Sequence, residues 1–416
     1  MDESKKKMTL ALEGIKIIET AFGWAGPTAG RLLADWGADV VKVEHPIRGE
    51  IMRGYKNSSF GVAGTRASVL TKTDIDYEPE NHNRNKRGIT LDLSQETGQE
   101  VLYKLLEKAD VLLSTFRPRE LHKFKLTFDI LSQLNPRLVH ANLSGYGEKG
   151  PDRDTPGFDT TAFWARSGYM HMLQSPGMPP VITPTASADR MAGVPLALGI
   201  TTALFMRERT GLGQKVETSL FNFGVFALAG DVGGALITGQ DLQQVDRKSL
   251  MNAAGTFYQT KDERWLRLSL FQSEPYWERF CQAIEREDLK HDPRFNSYAP
   301  RIENHDALFA ILEDVFHSKT LEDWKARLKG LPWDAVQNLP EVIADPQARA
   351  NEFFIPYEHP TYGNMELIAS PVKLSQSPWE IRMPAPQFGQ HTEEVLLEHG
   401  YNWQDIERFK EKGVIA

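Results

Sequence analysis

The chain has 416 residues, 41% of them hydrophobic and 25% charged, enough to bury one large core or two unequal ones. A net charge of −8 excludes bulk binding to nucleic acid, so a polyanionic ligand has to be met by a local basic cluster. The single cysteine, Cys281, excludes an intrachain disulfide, and no Cys or His spacing fits structural zinc, so the expected setting is a reducing cytoplasm with no metal.

The opening MDESKKKMTL is charged and has no apolar h-region, which reads as a short disordered tail and not a signal peptide. Gly14-Ile-Lys-Ile-Ile-Glu19 predicts a strand, broken at Ala25-Gly-Pro27 before Thr28 opens a helix over Ala29–Trp36. Gly37-Ala-Asp39 ends that helix and Val40-Val-Lys-Val-Glu44 predicts a second strand, so the chain opens as a β-α-β unit with a parallel pair. The alternation continues with a strand at Gly88–Leu93, a helix at Gln95–Lys108 and a strand at Asp110–Ser114. A helix through Leu131 and a strand at Leu138–Leu143 complete an α/β, doubly wound domain.

After Gly157 the pattern changes to long apolar helical stretches. The runs Met191–Met206 and Leu220–Gly239 are shorter than a comfortable bilayer span or carry Asp231 and several glycines; they read as buried helices, and no membrane partner is expected. From about Gly255 short strands such as Trp265–Leu270 mark a second, smaller domain. Pro371–Pro386 is proline-rich and extended, and it leads to an amphipathic helix, Thr392–His399, expected to return to the first domain.

Four stretches can carry chemistry. Asn83-Arg-Asn-Lys-Arg-Gly88 places Arg84, Lys86 and Arg87 on a turn before a strand, either as a solvated loop or facing phosphates. Phe116, Arg117, Arg119 and Lys123 follow the predicted strand that ends at Ser114 and Thr115, which is where open α/β sheets bind ligands. A ring flanked by arginines can stack an adenine while the cations meet phosphates, as a nucleotide such as coenzyme A requires. Without a G-x-G-x-x-G or Walker motif, neither NAD nor ATP is favoured. Ser144-Gly-Tyr-Gly-Glu-Lys-Gly-Pro151 also follows a strand, and its glycines either let the backbone approach a ligand or make a plain turn. Pro156-Gly-Phe-Asp159 then presents one carboxylate before a helical segment, Thr160–Ala165, where a lone Asp is most often an N-cap.

Seven segments in order, Ala25-Gly-Pro27, Asp35-Trp-Gly-Ala-Asp-Val-Val-Lys-Val-Glu44, Asn85-Lys-Arg-Gly88, Ser144-Gly-Tyr-Gly147, Pro156-Gly-Phe-Asp159, Thr210-Gly-Leu-Gly-Gln-Lys-Val216 and Gly389-Gln-His-Thr-Glu-Glu394, resemble the family III (CaiB/BaiF, carnitine and bile-acid) CoA-transferases. The resemblance implies an interlocked homodimer. Each subunit has a large Rossmann-like domain built from both chain ends and a smaller α+β domain: 1–225, then 226–335 with linkers, then 336–416 returning to the large domain. It implies a covalent nucleophile at Asp159, which attacks an acyl-CoA thioester to give a mixed anhydride and then an aspartyl-CoA thioester. Acyl-CoA and a free carboxylic acid are the implied substrates, with no tightly bound cofactor. By position, the implied CoA contacts are Trp24, Ala25, His45, Leu91, Leu93, Thr115, Phe116, Arg117, Lys123 and the turn Ser144, Gly145, Tyr146 and Gly147, with Lys86 and Arg87 from the basic turn. Backbone amides near Ala25 and Gly26, or the glycine turn, are the candidates for oxyanion donors.

Some positions depart from the family pattern. His45 stands where one branch has an arginine and Ser144 where it has a lysine, with Arg48, Lys86 and Arg117 available as replacements. Leu270-Phe-Gln-Ser-Glu-Pro-Tyr276 has no glycine where the oxalate-using branch has a glycine-rich loop, which disfavours oxalate and formate. The segments 145–151 and 157–163 look most similar to transferases of 2-hydroxy and aryl acids. Phe158, Phe163, Trp164, Tyr169, Met170 and Met172 would then give an apolar pocket for a medium-sized, branched or aromatic acyl group. The alternatives are an α-methylacyl-CoA racemase of the same fold, disfavoured because Phe158 stands where that group resembles a histidine base, and a non-catalytic CoA-binding protein. Asp189 matches an acidic position common to both enzyme groups.

Overall fold

A computed structural model describes residues 10–53 and 75–416; the predicted N-terminal tail, 1–9, lies outside the described residues. Contacts divide the chain into two compact units, one formed by the chain up to Met172 with Val181–Gln240 and Glu352–Ala416, the other by Leu173–Pro180 and Asp241–Asn351.

The first unit is built on six strands: β1 (Lys16–Glu19), β2 (Asp39–Glu44), β3 (Lys86–Thr90), β4 (Val111–Ser114), β5 (Val139–Ser144) and β6 (Lys215–Ser219). All pair in parallel, in the order β3-β2-β1-β4-β5-β6, with Ile18 opposite both Val41 and Leu112. Among the described residues its first helices are α1 (Ala25–Asp35), α2 (Tyr77–Asn83), α3 (Glu96–Leu106), α4 (Pro118–Lys123), α5 (Phe128–Leu134), α6 (Tyr169–Met172), α7 (Ser187–Thr210), α8 (Leu220–Ala227) and α9 (Ala229–Thr238). Strand alternation sends Ile17, Val40, Val111 and Leu113 into one core with α1 and α7, and Ile18, Val41 and Leu112 into another with α3 and α5. Two faces, each covered by helices, are what a parallel sheet requires.

The second unit holds β7 (Phe257–Gln259), β8 (Trp265–Leu268) and β9 (Trp333–Ala335) as a small antiparallel sheet, with α10 (Glu274–Ala283), α11 (Tyr298–Glu303), α12 (His305–His317), α13 (Leu321–Arg327), α14 (Leu339–Ala344) and α15 (Pro346–Ala350). Its own core gathers Tyr258, Phe280, Phe316 and Trp324. The chain then re-enters the first unit through the hairpin of β10 (Phe354–His359) and β11 (Gly363–Ile368), an extended stretch, α16 (Thr392–Glu398) and α17 (Trp403–Glu411). The return to the first unit is as expected, and Val395, Ile406 and Phe409 join its second core.

Several expectations need correction. Ala25-Gly-Pro27 does not break the chain before the first helix but forms its first turn, where a proline has no hydrogen bond to lose. The helix through Leu131 is two short ones, α4 and α5, and the sixth strand and last helix carried no clear signal. The two apolar runs are helical but not wholly buried in this chain. Leu198 and Phe205 of α7, Phe226 of α8, and Leu236 and Ile237 of α9 are exposed, Ile237 by 87%. Among the described residues no single helix is long and apolar enough to cross a membrane; α8 and α9 qualify only together, and they bend by 79°.

Candidate active site

The strand order reverses between β1 and β4, and open α/β sheets bind ligands at the carboxyl ends of the strands flanking such a reversal. A cavity of about 760 Å³ lies there, lined by Thr20 after β1, Val43–His45 at the end of β2, Leu91–Ser94 after β3, and Phe116, Glu120, Lys123 and Phe124 after β4. Of the predicted CoA contacts, the structure therefore brings His45, Leu91, Leu93, Phe116 and Lys123 together. The His45 ring accepts the amides of Ile47 and Arg48 on Nδ1 and has Asp92 3.9 Å from Nε2. Phe116 meets Phe124 edge-on at 5.2 Å, and Lys123 lies 5.5 Å above the Phe124 ring. Arg48 and Lys123 line the cavity with no carboxylate partner among the described residues, which leaves two cations there for phosphates.

The basic turn is placed differently. Lys86 is wholly buried, 2.8 Å from Glu19, and Lys42 meets the same carboxylate at 3.1 Å while holding Glu50 at 2.8 Å. Burial raises the cost of the Glu19 charge, and the two ammonium groups outweigh it and hold its pKa down. Burial likewise pushes Lys86 down, to about 8, with Glu19 offsetting part and Lys42 adding repulsion. Arg84 and Asn85 both bond Asp35, as does Arg31, and Arg87 spans Asp39, Glu394 and Glu398. Neither a solvated loop nor a phosphate clamp describes these side chains: Lys86 and Arg87 stand outside the cavity, committed to carboxylates. Gly88 belongs to the same joint, where a Cβ would fall 2.9 Å from Pro386.

Other predicted contacts build the rim. Thr115 accepts the Phe22 amide, and Arg117 does not line the cavity but donates both its backbone amide and its guanidinium to Glu120. Trp24 donates its indole N–H to Glu78 at 2.9 Å, and Ala25 starts α1. In the glycine turn Ser144 accepts the Gly147 amide, and Tyr146 and Gly147 face a separate cavity of about 470 Å³ with Glu217 and Phe221. Gly145 does not approach that space. It touches Gly157, and a Cβ on either would lie 2.7 Å from the other's Cα. This contact ties the end of β5 to the segment carrying Asp159.

Asp159 opens a π-type turn, Asp159–Ala165, and is 6% exposed. Its carboxylate accepts the amides of Thr160 and Ala188, the latter in the first turn of the 24-residue α7, and Oδ2 makes no hydrogen bond among the described residues. Burial raises its pKa; the two amides and Arg190 offset part of that rise. A buried carboxylate with one oxygen unsolvated has the chemistry a nucleophile needs, because the cost of stripping its water has been met by folding. Ala25 and Gly26 start α1, so their amides have no intrahelical acceptor, and Pro27 has none to offer.

Residues that sequence reading assigned no role complete the surroundings. Arg190 donates to both oxygens of Glu78, to His82 at 3.1 Å and to the Thr185 carbonyl, so that α2 and Trp24 brace the turn before α7. Ala186 in that turn is left-handed, with φ at 53°. Asp189 is pushed up to about 7, by burial first and the Asp159 charge second. In the sequence it stands out only as an acidic position common to both enzyme groups. The expected apolar pocket is mostly core: Phe163 and Trp164 are buried and pack on Tyr169 at 5.4 and 5.1 Å, leaving Phe158 exposed. No group of three or more metal-ligating side chains occurs among the described residues.

Comparison with known proteins agrees with this geometry. The sequence model of CoA-transferase family III matches residues 12–392. The chain is 32% identical over 412 residues to an (R)-2-hydroxy-4-methylpentanoate CoA-transferase of Clostridioides difficile, covering 98% of this chain and 100% of that one. It is 34% identical over 418 residues to a cinnamoyl-CoA:phenyllactate CoA-transferase of Clostridium sporogenes, covering 98% of each. A CaiB/BaiF family protein from Brucella suis superposes with a TM-score of 0.79 at 26% identity, over 94% of this chain and all of the other.

Proposed function

Since this chain belongs to CoA-transferase family III, we propose that it moves coenzyme A from an acyl-CoA to a free carboxylic acid through a covalent intermediate on Asp159. The observation that carries the reading is the Asp159 carboxylate itself, buried, held by the Ala188 amide and left with one oxygen without a hydrogen bond. Attack by that oxygen on the thioester carbonyl expels the CoA thiolate; the thiolate attacks the Asp159 carbonyl of the anhydride and releases the first acid. The acceptor acid runs the same steps in reverse. Arg48 and Lys123 serve the phosphates, and Phe116 with Phe124 the adenine. Backbone amides at Ala25 and Gly26, at the start of α1 and without intrahelical acceptors, are the donors for the oxyanions.

The acid is a medium-sized, branched, 2-hydroxy or aryl acid. With most of the aromatic side chains around Asp159 spent on the core, support for this comes from relatives named for 2-hydroxy-4-methylpentanoate and phenyllactate. Intact-protein mass spectrometry after incubation with an acyl-CoA panel tests the reading. An adduct of CoA mass in wild type that is missing in Asp159→Ala is the expected result, and an adduct that survives in Asp159→Ala rejects it.

The exposed stripe of Met191, Val194, Leu198 and Phe205 along α7, continued by Phe226, Leu236 and Ile237, favours a second copy of this chain as partner, in an interlocked dimer. Light scattering on a dilution series is expected to return twice the chain mass throughout; a monomer at any dilution rejects interlocking. We place the enzyme in the cytoplasm, where CoA esters are made and a buried free thiol such as Cys281 persists.

A further inference from the structure

We propose that Glu78 is a positioning residue for acyl transfer. Its carboxylate fastens Trp24, which precedes α1, to Arg190 of α7, and so fixes the amides of Ala25 and Gly26 relative to the Ala188 amide that Asp159 accepts. The proposal rests on the reading of Asp159 as nucleophile. Glu78 is 8% exposed, and both of its carboxylate oxygens are engaged. Oε2 accepts the Trp24 indole N–H at 2.9 Å and Arg190 Nη2 at 3.0 Å, and Oε1 accepts the same Arg190 nitrogen at 2.9 Å. Bonds to an ionised group of this kind are about twice as strong as neutral ones.

The remaining bonds of Arg190 fix the chain on the α7 side. Nη1 donates to the Thr185 carbonyl at 2.9 Å, and Nε donates to Nε2 of His82 at 3.1 Å. A ring nitrogen that accepts carries no proton, so Nδ1 of His82 holds it and donates to the Glu78 backbone carbonyl at 2.8 Å. Thr185 adjoins Ala186, whose φ of 53° is a left-handed conformation that a residue other than glycine keeps only where its surroundings over-determine it. Ala186 directly precedes α7, so the direction of the Ala188 amide depends on that turn.

The two ends of the clamp are not equally secure. At α1 the Pro27 carbonyl also accepts Lys86 at 2.9 Å. Gly193 lies so close to α1 that a Cβ there would fall 2.7 Å from the Ala25 carbonyl oxygen and from Thr28 Cβ. That contact lies beyond the first turn of α7 and leaves the turn around Ala186 to Arg190 and to Ser187, which donates to the Pro184 carbonyl. Without Glu78, Arg190 loses its counter-charge, and the turn that aims Ala188 is the part that shifts. The CoA cavity is lined by none of Glu78, Trp24 and Arg190, so its contacts stay. Displaced donors slow the chemical step without weakening binding, because the oxyanion they serve exists only on the way across the barrier.

The test follows CoA adduct formation by mass spectrometry with cinnamoyl-CoA and (R)-2-hydroxy-4-methylpentanoyl-CoA, reading the rate at saturation, the half-saturating concentration and the final adduct per chain. Glu78→Ala is expected to load about 10²-fold more slowly at saturation, as a misplacement of about 1 Å costs. Glu78→Gln keeps the shape and one accepting oxygen but turns an N–H toward a donor, and a loss of about tenfold is expected. In both, the half-saturating concentration is expected to stay within about twofold of wild type, and the final adduct per chain to match it. Combining Glu78→Ala with Arg190→Ala is expected to cost no more than the larger single loss, since both break one clamp.

A wild-type rate in Glu78→Ala overturns the proposal, and so do losses that add in the double variant. A half-saturating concentration that rises in step with the rate loss, or a fall in adduct per chain that accounts for it, overturns it as well, by marking a binding or a purely structural role. If Glu78→Ala does not fold, Glu78→Gln carries the same readings. If wild type gives no Asp159-dependent adduct with either ester, the nucleophile reading falls and takes this one with it. Loading of wild type with an unchanged rate in Glu78→Ala rejects this one alone.

Discussion

Glu19 and Asp159 are both buried carboxylates of the large unit, and the fold treats them in opposite ways. Glu19 is gripped by Lys42 and Lys86, within a network that Glu50 extends, and its pKa is held down against burial. Asp159 has two backbone amides and no cation of its own, and Arg190 is engaged by Glu78. The first cluster is complete, so a ligand has nothing to add there. The second is left incomplete, and that deficit is what reactivity requires. The difference also explains why basic residues in a motif are poor evidence of phosphate binding until their partners are known.

Removing the reactive member tests the comparison most sharply. Asp159→Ala is expected to lower turnover by at least about 10⁴-fold while CoA retention stays near wild type, since the cavity lining does not include Asp159. Turnover together with CoA-agarose retention measures this, and loss of retention would mean that Asp159 is scaffold after all.

The complete cluster should respond in stability instead. Glu19→Gln strands the Lys86 ammonium in the core and is expected to cost about 3–5 kcal/mol, read from urea midpoints. A loss no larger than that of an exposed ion pair, about 1 kcal/mol, would show that water reaches the network.

Geometry links the two regions to the sheet. Gly157→Ala forces its new methyl against Gly145 and displaces Asp159, and about 10²-fold in kcat is expected to go, with a smaller change in melting temperature. Equal losses in both would mark the contact as structural alone.

A slower readout, in increments of pH, is the pH dependence of stability. A carboxyl raised to about 7 keeps its proton in the folded chain while the unfolded chain releases it near its ordinary value, so Asp189 costs stability progressively as pH rises from about 4 to 7. Asp189→Asn is therefore expected to gain on wild type across that window, by at most about 1.4 kcal/mol per pH unit, and to run parallel to it above. A constant difference between the two melting curves across the window would show that Asp189 is ionised throughout.

Five of the six central strands and the helix that returns from the C-terminus were legible, because β-branched runs such as Ile15–Ile18 and Val40–Val43 impose extended backbone locally and glycines interrupt them. β6 was not, since Lys215-Val-Glu-Thr-Ser219 is too polar to read as a core strand and is held by pairing with β5. Within the site, Phe116 and Lys123 stood out through their places after a strand, whereas Asp159, His45, Leu91 and Leu93 came from the family resemblance of the segments that carry them.

What the sequence determined by itself was the order of elements and the α/β class, consequences of short-range sterics and hydrophobic period, while the candidate nucleophile came with the family resemblance. What only the tertiary structure decided was the partner of each charge. Lys86 meets Glu19, Arg84 meets Asp35, and Gly145 meets Gly157. Such pairings join residues far apart in the chain, and whether a buried charge is satisfied or left reactive depends on them and not on its neighbours in sequence.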